Sequence, residues 1–229
     1  MNKITRRLAF TALACLTLLG MTTHKMPVLA KPDVAKPYRP SVYLNLDLVR
    51  KIVCLDPNDS TKGVGLGTAE IVGKGIMITA AHVVAAGDLP QCYDAATKAP
   101  VRPYLIDPEA DFAMLAFDDG SSGEMEYMRY SCEGFVNKAP YQAIGYALGQ
   151  ALILNRMTAT DRQTSRTYTL SSRRVASGLW YLNGDIFQGM SGGPIINEDG
   201  VIVGINSATD HRGIGLSRAL KDTALCRHD

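Results

Sequence analysis

The stretch that decides the fold is Gly189-Met190-Ser191-Gly192-Gly193-Pro194, in which one serine is enclosed by glycines. Glycine adopts backbone angles that other residues avoid, so Ser191 can lie on a sharp turn with its hydroxyl exposed. The amides beside it then stay free to stabilise the negative charge that forms on a carbonyl oxygen during acyl transfer. The stretch therefore predicts a nucleophilic Ser191, with a purely structural turn before a strand as the alternative.

The same residues also satisfy the G-x-S-x-G pattern of α/β-hydrolases, in which the acid and the histidine follow the serine along the chain. Only 38 residues follow Ser191, and that is too few for the remaining strand–helix units of such a fold. The chain before Ser191 also lacks the alternating helices that a parallel sheet requires. We therefore reject this fold and expect the general base upstream of the serine.

His82 is the upstream candidate for the general base. It stands in 79–84 (TAAHVV), where a predicted strand closes and a short apolar turn begins. Imidazole titrates near neutrality, which suits it to accept the serine proton and return it to a leaving amine. The histidines His211, in a polar loop, and His228, at the terminus, are assigned to the surface.

Asp111 is the candidate for the third member of a catalytic triad. It begins 111–115 (DFAML), so that a carboxylate stands at the mouth of an apolar strand. Such a group can hold the imidazole in the required tautomer and stabilise its cation. Asp107 is the competing acid, but it precedes a proline and is typical of a turn.

Short apolar segments rich in β-branched residues and bounded by glycine, proline or asparagine recur along the chain. They lie at 49–55, 64–72, 75–79, 101–106, 112–117, 141–147, 151–157, 166–171, 178–183, 193–197, 201–206 and 213–217. With no long helical periodicity between them, they predict an all-β fold of antiparallel barrels or a sandwich. The polar stretch 118–126 divides two series of strands, and only 217–225 has helix character.

The N-terminus has the pattern of a secretory signal peptide over residues 1–30, with basic residues, a short apolar run and a small residue at its end. The apolar run is too short to span a bilayer, although an uncleaved anchor is the alternative. The segment holds four of the 24 basic residues and no acidic one, so the remaining 199 residues carry 20 basic against 22 acidic residues. This balance argues against a nucleic-acid-binding surface. We also expect no stable membrane insertion after cleavage of the signal peptide.

Four cysteines remain after the signal peptide, and their spacing fits no zinc pattern. An exported chain meets an oxidising compartment, so we expect two disulfides. Of the three possible pairings we favour Cys54 with Cys92 and Cys132 with Cys226, one in each barrel. Four free thiols are the alternative if the chain is not exported.

The segments TAAHVV, DFAML and GMSGGP resemble the three signature segments of the trypsin-like serine protease superfamily, in its order. The segments 144–149 (IGYALG) and 192–206 resemble the bacterial Deg-type (high-temperature-requirement) proteases more closely than the digestive enzymes. The resemblance covers roughly residues 63–217. It implies a chymotrypsin-like double six-stranded β-barrel with a short C-terminal helix and a triad of His82, Asp111 and Ser191.

The resemblance also implies a domain division and an oxyanion hole. An extended leader over 31–40 would precede an N-terminal barrel at 41–120 with His82 and Asp111. A C-terminal barrel with Ser191 and the helix would occupy 121–229. The amides of Gly189 and Ser191 would form the oxyanion hole, and Ser207 would lie on the edge strand that pairs with the substrate backbone.

Departures from the family pattern bear on regulation. Met190 stands where digestive relatives have the aspartate that captures a new N-terminus, which excludes activation by that salt bridge. Deg-type proteases usually carry a PDZ domain after the protease, and this chain ends soon after its last predicted element. We therefore expect no PDZ-mediated regulation.

Asp185 is the residue from which the sequence predicts which side chain is preferred before the scissile bond. An ungapped match to trypsin places Asp185 at the base of the primary specificity pocket, where a carboxylate would favour arginine or lysine. The alternative is that 183–186 forms a turn and that small aliphatic residues are preferred, as in Deg-type relatives. Glutamate-specific enzymes of this superfamily have a histidine on the strand after the nucleophile. This chain has Asn206 there, which argues against a preference for glutamate.

Two functions remain, namely a serine endopeptidase that acts on proteins or peptides through an acyl-enzyme, and a non-catalytic peptide-binding or signalling protein on the same fold. No triad residue or oxyanion glycine is replaced, which favours the endopeptidase. Neither function requires a metal or an organic cofactor. The signal peptide predicts a periplasmic or extracellular location.

Overall fold

The chain forms two closed antiparallel β-barrels of six strands each, which confirms the predicted double barrel, although the strand at 91–94 was not predicted. The computed structural model describes residues 44–85, 90–117, 126–164, 168–169, 175–210 and 214–227. The predicted signal peptide and leader, most of the polar link 118–126, His211 and His228 lie outside these residues. Within the described part of the chain, no helix is long and apolar enough to cross a membrane.

The first barrel is closed in the order β1-β2-β3-β6-β5-β4. Its strands are β1 (Val49–Asp56), β2 (Asp59–Gly73), β3 (Ile76–Thr79), β4 (Gln91–Asp94), β5 (Pro100–Asp107) and β6 (Phe112–Phe117). A one-turn helix, α1 (Ala81–Val84), follows β3, and a 3-10 helix (Leu46–Leu48) precedes β1. Nearly every residue of β6 is buried, and burial of apolar surface stabilises a fold by about 25 cal/mol per Å².

The second barrel is closed in the order β11-β14-β13-β12-β7-β8. Its strands are β7 (Pro140–Ala147), β8 (Ala151–Gln163), β11 (Trp180–Asn183), β12 (Pro194–Ile196), β13 (Ile202–Thr209) and β14 (Gly215–Ala219). Two further short strands, β9 (Tyr168–Thr169) and β10 (Val175–Ala176), pair only with each other.

The two barrels pack directly against each other. Ile144, Ile196, Ile202 and Ile205 of the second barrel belong to the same buried apolar cluster as the core of the first barrel. Because this contact is continuous and apolar, side chains from the two barrels hold fixed positions across the cleft between them.

The C-terminal segment differs from the helix predicted over 217–225. Ser217 to Ala219 belong to β14, where Ser217 pairs with Trp180 of β11 and with Asn206 of β13. Helical structure is limited to one 3-10 turn, Leu220–Asp222. Pairing on both sides of β14 buries the polar residues that an amphipathic helix would expose, so tertiary contacts override the local pattern.

The cysteines pair as favoured from the sequence. Cys54 and Cys92 lie opposite each other on β1 and β4 and form one disulfide within the first barrel. Cys132 and Cys226 form the second, which joins the segment before β7 to the chain after β14.

Candidate active site

His82 lies on α1, directly after β3, and is almost completely buried. Its Nδ1 lies 3.0 Å from each carboxylate oxygen of Asp111. Its backbone N–H also donates to Asp111 Oδ1 at 3.0 Å. Since Nδ1 faces the carboxylate, Nε2 is the ring nitrogen left for a second partner, and His82 lines the cleft between the barrels.

Asp111 occupies the turn between β5 and β6 with a left-handed backbone (φ 51°), a conformation that non-glycine residues rarely adopt. It is 1% exposed. Besides the two contacts from His82, its carboxylate accepts a hydrogen bond from the hydroxyl of Ser207. The competing acid Asp107 instead accepts the N–H of Ala110, as a turn residue does.

Ser191 lies on the turn between β11 and β12, flanked by Gly189 (φ 89°) and Gly192 (φ 82°). Its hydroxyl donates to the carbonyl of Ser207 at 3.3 Å and makes no hydrogen bond to His82. Both side chains line one cleft of about 670 Å³. Catalytic hydrogen bonds are often long or misaligned before substrate binds, so the lack of this bond does not exclude the pair.

The amide N–H groups of Gly189 and Ser191 make no hydrogen bond to any described residue. The carbonyl of Gln188, in the same peptide unit as the Gly189 N–H, accepts a hydrogen bond from Leu148 N–H at 2.6 Å. In a trans peptide the C=O and N–H point in opposite directions, so this bond turns the Gly189 N–H away from Leu148. A Cβ on Gly189 would lie 2.4 Å from the carbonyl of Tyr146, so only glycine fits there.

Ser207 lies near the end of β13. β12 pairs with β13 only as far as Ile205, and the residues from Ser207 to Thr209 line the cleft. The hydroxyl of Ser207 also donates to the carboxylate of Asp111, a contact that no pattern in the sequence predicts.

Asp185 does not occupy the base of a specificity pocket, so that prediction is wrong. Its side chain is exposed and absent from the cleft lining, and its carbonyl accepts a hydrogen bond from Asn155 Nδ2 at 2.9 Å. The next residue, Ile186, turns inward instead and is 5% exposed. A Cβ on Gly215 would lie 2.7 Å from Ile186 Cδ1, so the side chain of Ile186 packs on Gly215, and Ile186 also lines the cleft.

Arg218 is a buried residue near the site that the sequence analysis did not single out. From β14 its guanidinium donates to the carbonyls of Ala110 (2.5 Å) and Glu109 (3.2 Å), the two residues before Asp111. Burial lowers the pKa of Arg218, while the carboxylates of Asp222 and Asp111 oppose this shift. The available signal was an arginine that directly follows the predicted strand segment 213–217.

Among the described residues, no group of three His, Cys, Asp or Glu side chains could hold a metal ion. The chemistry that these side chains offer is proton transfer by His82 and attack by the Ser191 hydroxyl, beside two unused amide donors.

Comparison with protein families gives a match to the trypsin-like peptidase domain over residues 67–205, more than half of the chain. No curated protein matches. The Rv3671c protease from M. tuberculosis in its active form has a TM-score of 0.62 and 19% identity, covering 84% of this chain and 89% of that one.

Two further solved structures are similar. The HtrA-type protease AlgW with a tripeptide has a TM-score of 0.60 and 22% identity, covering 76% of this chain and 56% of that one. Deg5 has a TM-score of 0.56 and 21% identity, covering 75% of this chain and 83% of that one. The family match and these shared folds confirm the resemblance drawn from the sequence.

Proposed function

This chain belongs to the trypsin-like peptidase family of serine endopeptidases, and we propose that it is an exported enzyme that cleaves proteins or peptides with His82, Asp111 and Ser191 as its catalytic triad. The observation that carries the proposal is the buried carboxylate of Asp111 against His82 Nδ1. It leaves the other ring nitrogen for Ser191 in the same cleft.

In the proposed reaction, His82 Nε2 takes the hydroxyl proton of Ser191 while Oγ attacks the substrate carbonyl carbon. The amides of Gly189 and Ser191 donate to the resulting oxyanion. As the tetrahedral intermediate collapses, His82 gives the proton to the leaving amine, and an acyl-enzyme remains. Water then attacks the acyl group with the same histidine as base, which releases the acid and restores Ser191.

Asp111 would keep Nδ1 protonated and stabilise the imidazolium formed in each step. The backbone of Ser207 and the residues after it would pair with the substrate chain and hold its scissile carbonyl near Ser191. An exported location is supported by the two disulfides, which form and persist in oxidising compartments.

Labelling with a fluorophosphonate tests the proposal. Wild-type protein should gain one adduct by intact mass, and Ser191→Ala should gain none. Denatured wild-type protein serves as the control for unspecific reaction, since an unfolded serine is not activated. If the folded wild type gains no adduct under conditions that label trypsin, the protein is not an active endopeptidase in this form, which leaves a latent protease or a peptide-binding protein on a protease fold.

The cleft also supports a preference for small apolar residues before the scissile bond. On the side of the second barrel, the segment before Ser191 and the end of β13 line the cleft, and the buried Ile186 lies in that segment. A long side chain would collide with Ile186, and the exposed Asp185 offers no buried carboxylate to arginine or lysine.

A peptide library read by mass spectrometry tests this preference. Wild-type protein should cleave after alanine and valine, and Ile186→Ala should raise kcat/KM for leucine over alanine by about tenfold or more, because the substitution opens the pocket. Asp185→Asn is the matched control and should leave the profile unchanged. A wild-type preference for arginine that Asp185→Asn removes would contradict this proposal.

A further inference from the structure

Thr68 of β2 joins the first barrel to the turn that carries Ser191. Its side chain is completely buried. The hydroxyl donates to the carbonyl of Gly189 at 2.8 Å and accepts the N–H of Tyr146 at 3.0 Å. Its backbone N–H donates to the carbonyl of Ser191 at 2.8 Å. One residue of the first barrel thus holds the carbonyls of both residues whose amides face the oxyanion position.

The contacts around Gly189 show what the hydroxyl of Thr68 adds. The peptide before Gly189 is held by the bond from Leu148 N–H to the Gln188 carbonyl. The peptide after it is held at both ends, by the Thr68 hydroxyl on the Gly189 carbonyl and by the Met190 N–H, which donates to the Phe187 carbonyl at 3.0 Å. Glycine at φ 89° has wide backbone freedom. With both flanking peptides bonded, the Gly189 N–H has one direction. Loss of the Thr68 bond would leave the peptide after Gly189 held at its N–H end alone, so the Gly189 backbone could shift.

We propose that the Thr68 hydroxyl is a positioning residue for the oxyanion hole, which acts by fixing the Gly189 peptide. The inference rests on the proposed endopeptidase function and extends it to a residue that contacts neither substrate nor the triad side chains. The hydroxyl is needed both as a donor to the Gly189 carbonyl and as an acceptor for the Tyr146 N–H. Without it the buried Gly189 carbonyl and Tyr146 N–H would both lack a partner and would move to find one.

The methyl group of Thr68 has a separate, structural role. A Cβ on Gly193 would lie 3.0 Å from Thr68 Cγ2, so the methyl packs closely on the glycine after the nucleophile turn. Two substitutions therefore separate hydrogen bonding from packing. Thr68→Val keeps the shape and removes the hydroxyl, whereas Thr68→Ser keeps the hydroxyl and removes the methyl.

Kinetics on one peptide substrate test the proposal. Thr68→Val should lower kcat by about 10- to 100-fold with KM within about twofold, because an oxyanion donor acts mainly in the transition state. The Ki of a peptide aldehyde, which forms a tetrahedral adduct, should rise by a similar factor. Thr68→Ser should stay within about threefold of wild type in both. Thermal unfolding shows whether each variant is folded, and Thr68→Ala replaces Thr68→Val if that variant is not.

The outcomes separate this inference from the proposed function. If wild-type protein neither labels nor cleaves, the endopeptidase proposal fails, and this inference fails with it. If wild-type protein is active and Thr68→Val keeps its kcat, only the inference on Thr68 is overturned. Equal losses in the valine and serine variants would likewise overturn it, since packing and not the hydroxyl would then be responsible.

Discussion

Replacing Ser191 with alanine is expected to lower kcat for a peptide substrate by about 10⁶-fold, and His82→Ala should have nearly the same effect. The two side chains line one cleft, and Asp111 holds the histidine ring at 3.0 Å. Nucleophile and base act as a unit, because neither can form the acyl-enzyme without the other. The double variant should therefore lose no more than either single variant, and Asp111→Asn should lose about 10⁴-fold.

Steady-state kinetics on purified variants measures these losses. Thr158→Ala is the matched control, since it removes a hydroxyl from an exposed position on β8 outside the cleft. It should keep wild-type kcat and KM. If the effects of Ser191→Ala and His82→Ala multiply in the double variant, or if Ser191→Ala loses less than tenfold, these residues are not a catalytic unit.

Glu70 should make the stability of the protein fall as the pH rises. Its side chain is fully buried on β2, and neither carboxylate oxygen has a hydrogen-bond partner. Burial raises the pKa of Glu70 well above its ordinary value of 4.5. Between that value and the raised pKa, the folded chain keeps a proton that the unfolded chain releases. Each pH unit in this window therefore lowers the free energy of unfolding by about 1.4 kcal/mol.

Two substitutions isolate the contribution of Glu70. Glu70→Gln keeps the shape without the titration, so the fall in stability above pH 4.5 should become shallower. Glu70→Leu should also raise the free energy of unfolding at neutral pH by about 2 kcal/mol, because it removes an unpaired buried polar group. Urea unfolding at several pH values measures both. Parallel stability profiles of wild type and Glu70→Gln would refute this account.

Substitutions of Glu70 are also expected to affect the active site, because of where Glu70 lies on β2. It lies two residues after Thr68 on the same face of β2, since side chains alternate along a strand. Thr68 contacts Gly189 and Tyr146 of the second barrel, so this face of β2 is turned toward that barrel. Ionisation of Glu70 would thus place a charge close to the contact between the barrels.

The sequence by itself determined the features that depend on residues close together in the chain. The glycines around Ser191 predict a sharp turn, and regularly spaced short strands predict the barrels. The order of His82, Asp111 and Ser191 selects the protease fold over the hydrolase fold. These features can be predicted from the sequence because backbone preference and strand alternation act over only a few residues.

The sequence failed where distant residues decide the outcome. Asp185 and Ile186 are adjacent in one turn, and only the packing of Ile186 on Gly215 determines which of them faces the cleft. A helix was predicted over 217–225, but residues 217–219 belong to β14, which pairs with a strand on each side. Neither choice can be read from local periodicity.

The remaining features of the site were decided by the tertiary structure alone. The hydroxyl of Ser207 bonds to Asp111, and that of Thr68 bonds to Gly189, across 96 and 121 positions of the chain. Such contacts exist only after two barrels have closed and packed together. A serine or threonine in a strand has no sequence signature that names its partner, because the partner is chosen by three-dimensional packing and not by spacing along the chain.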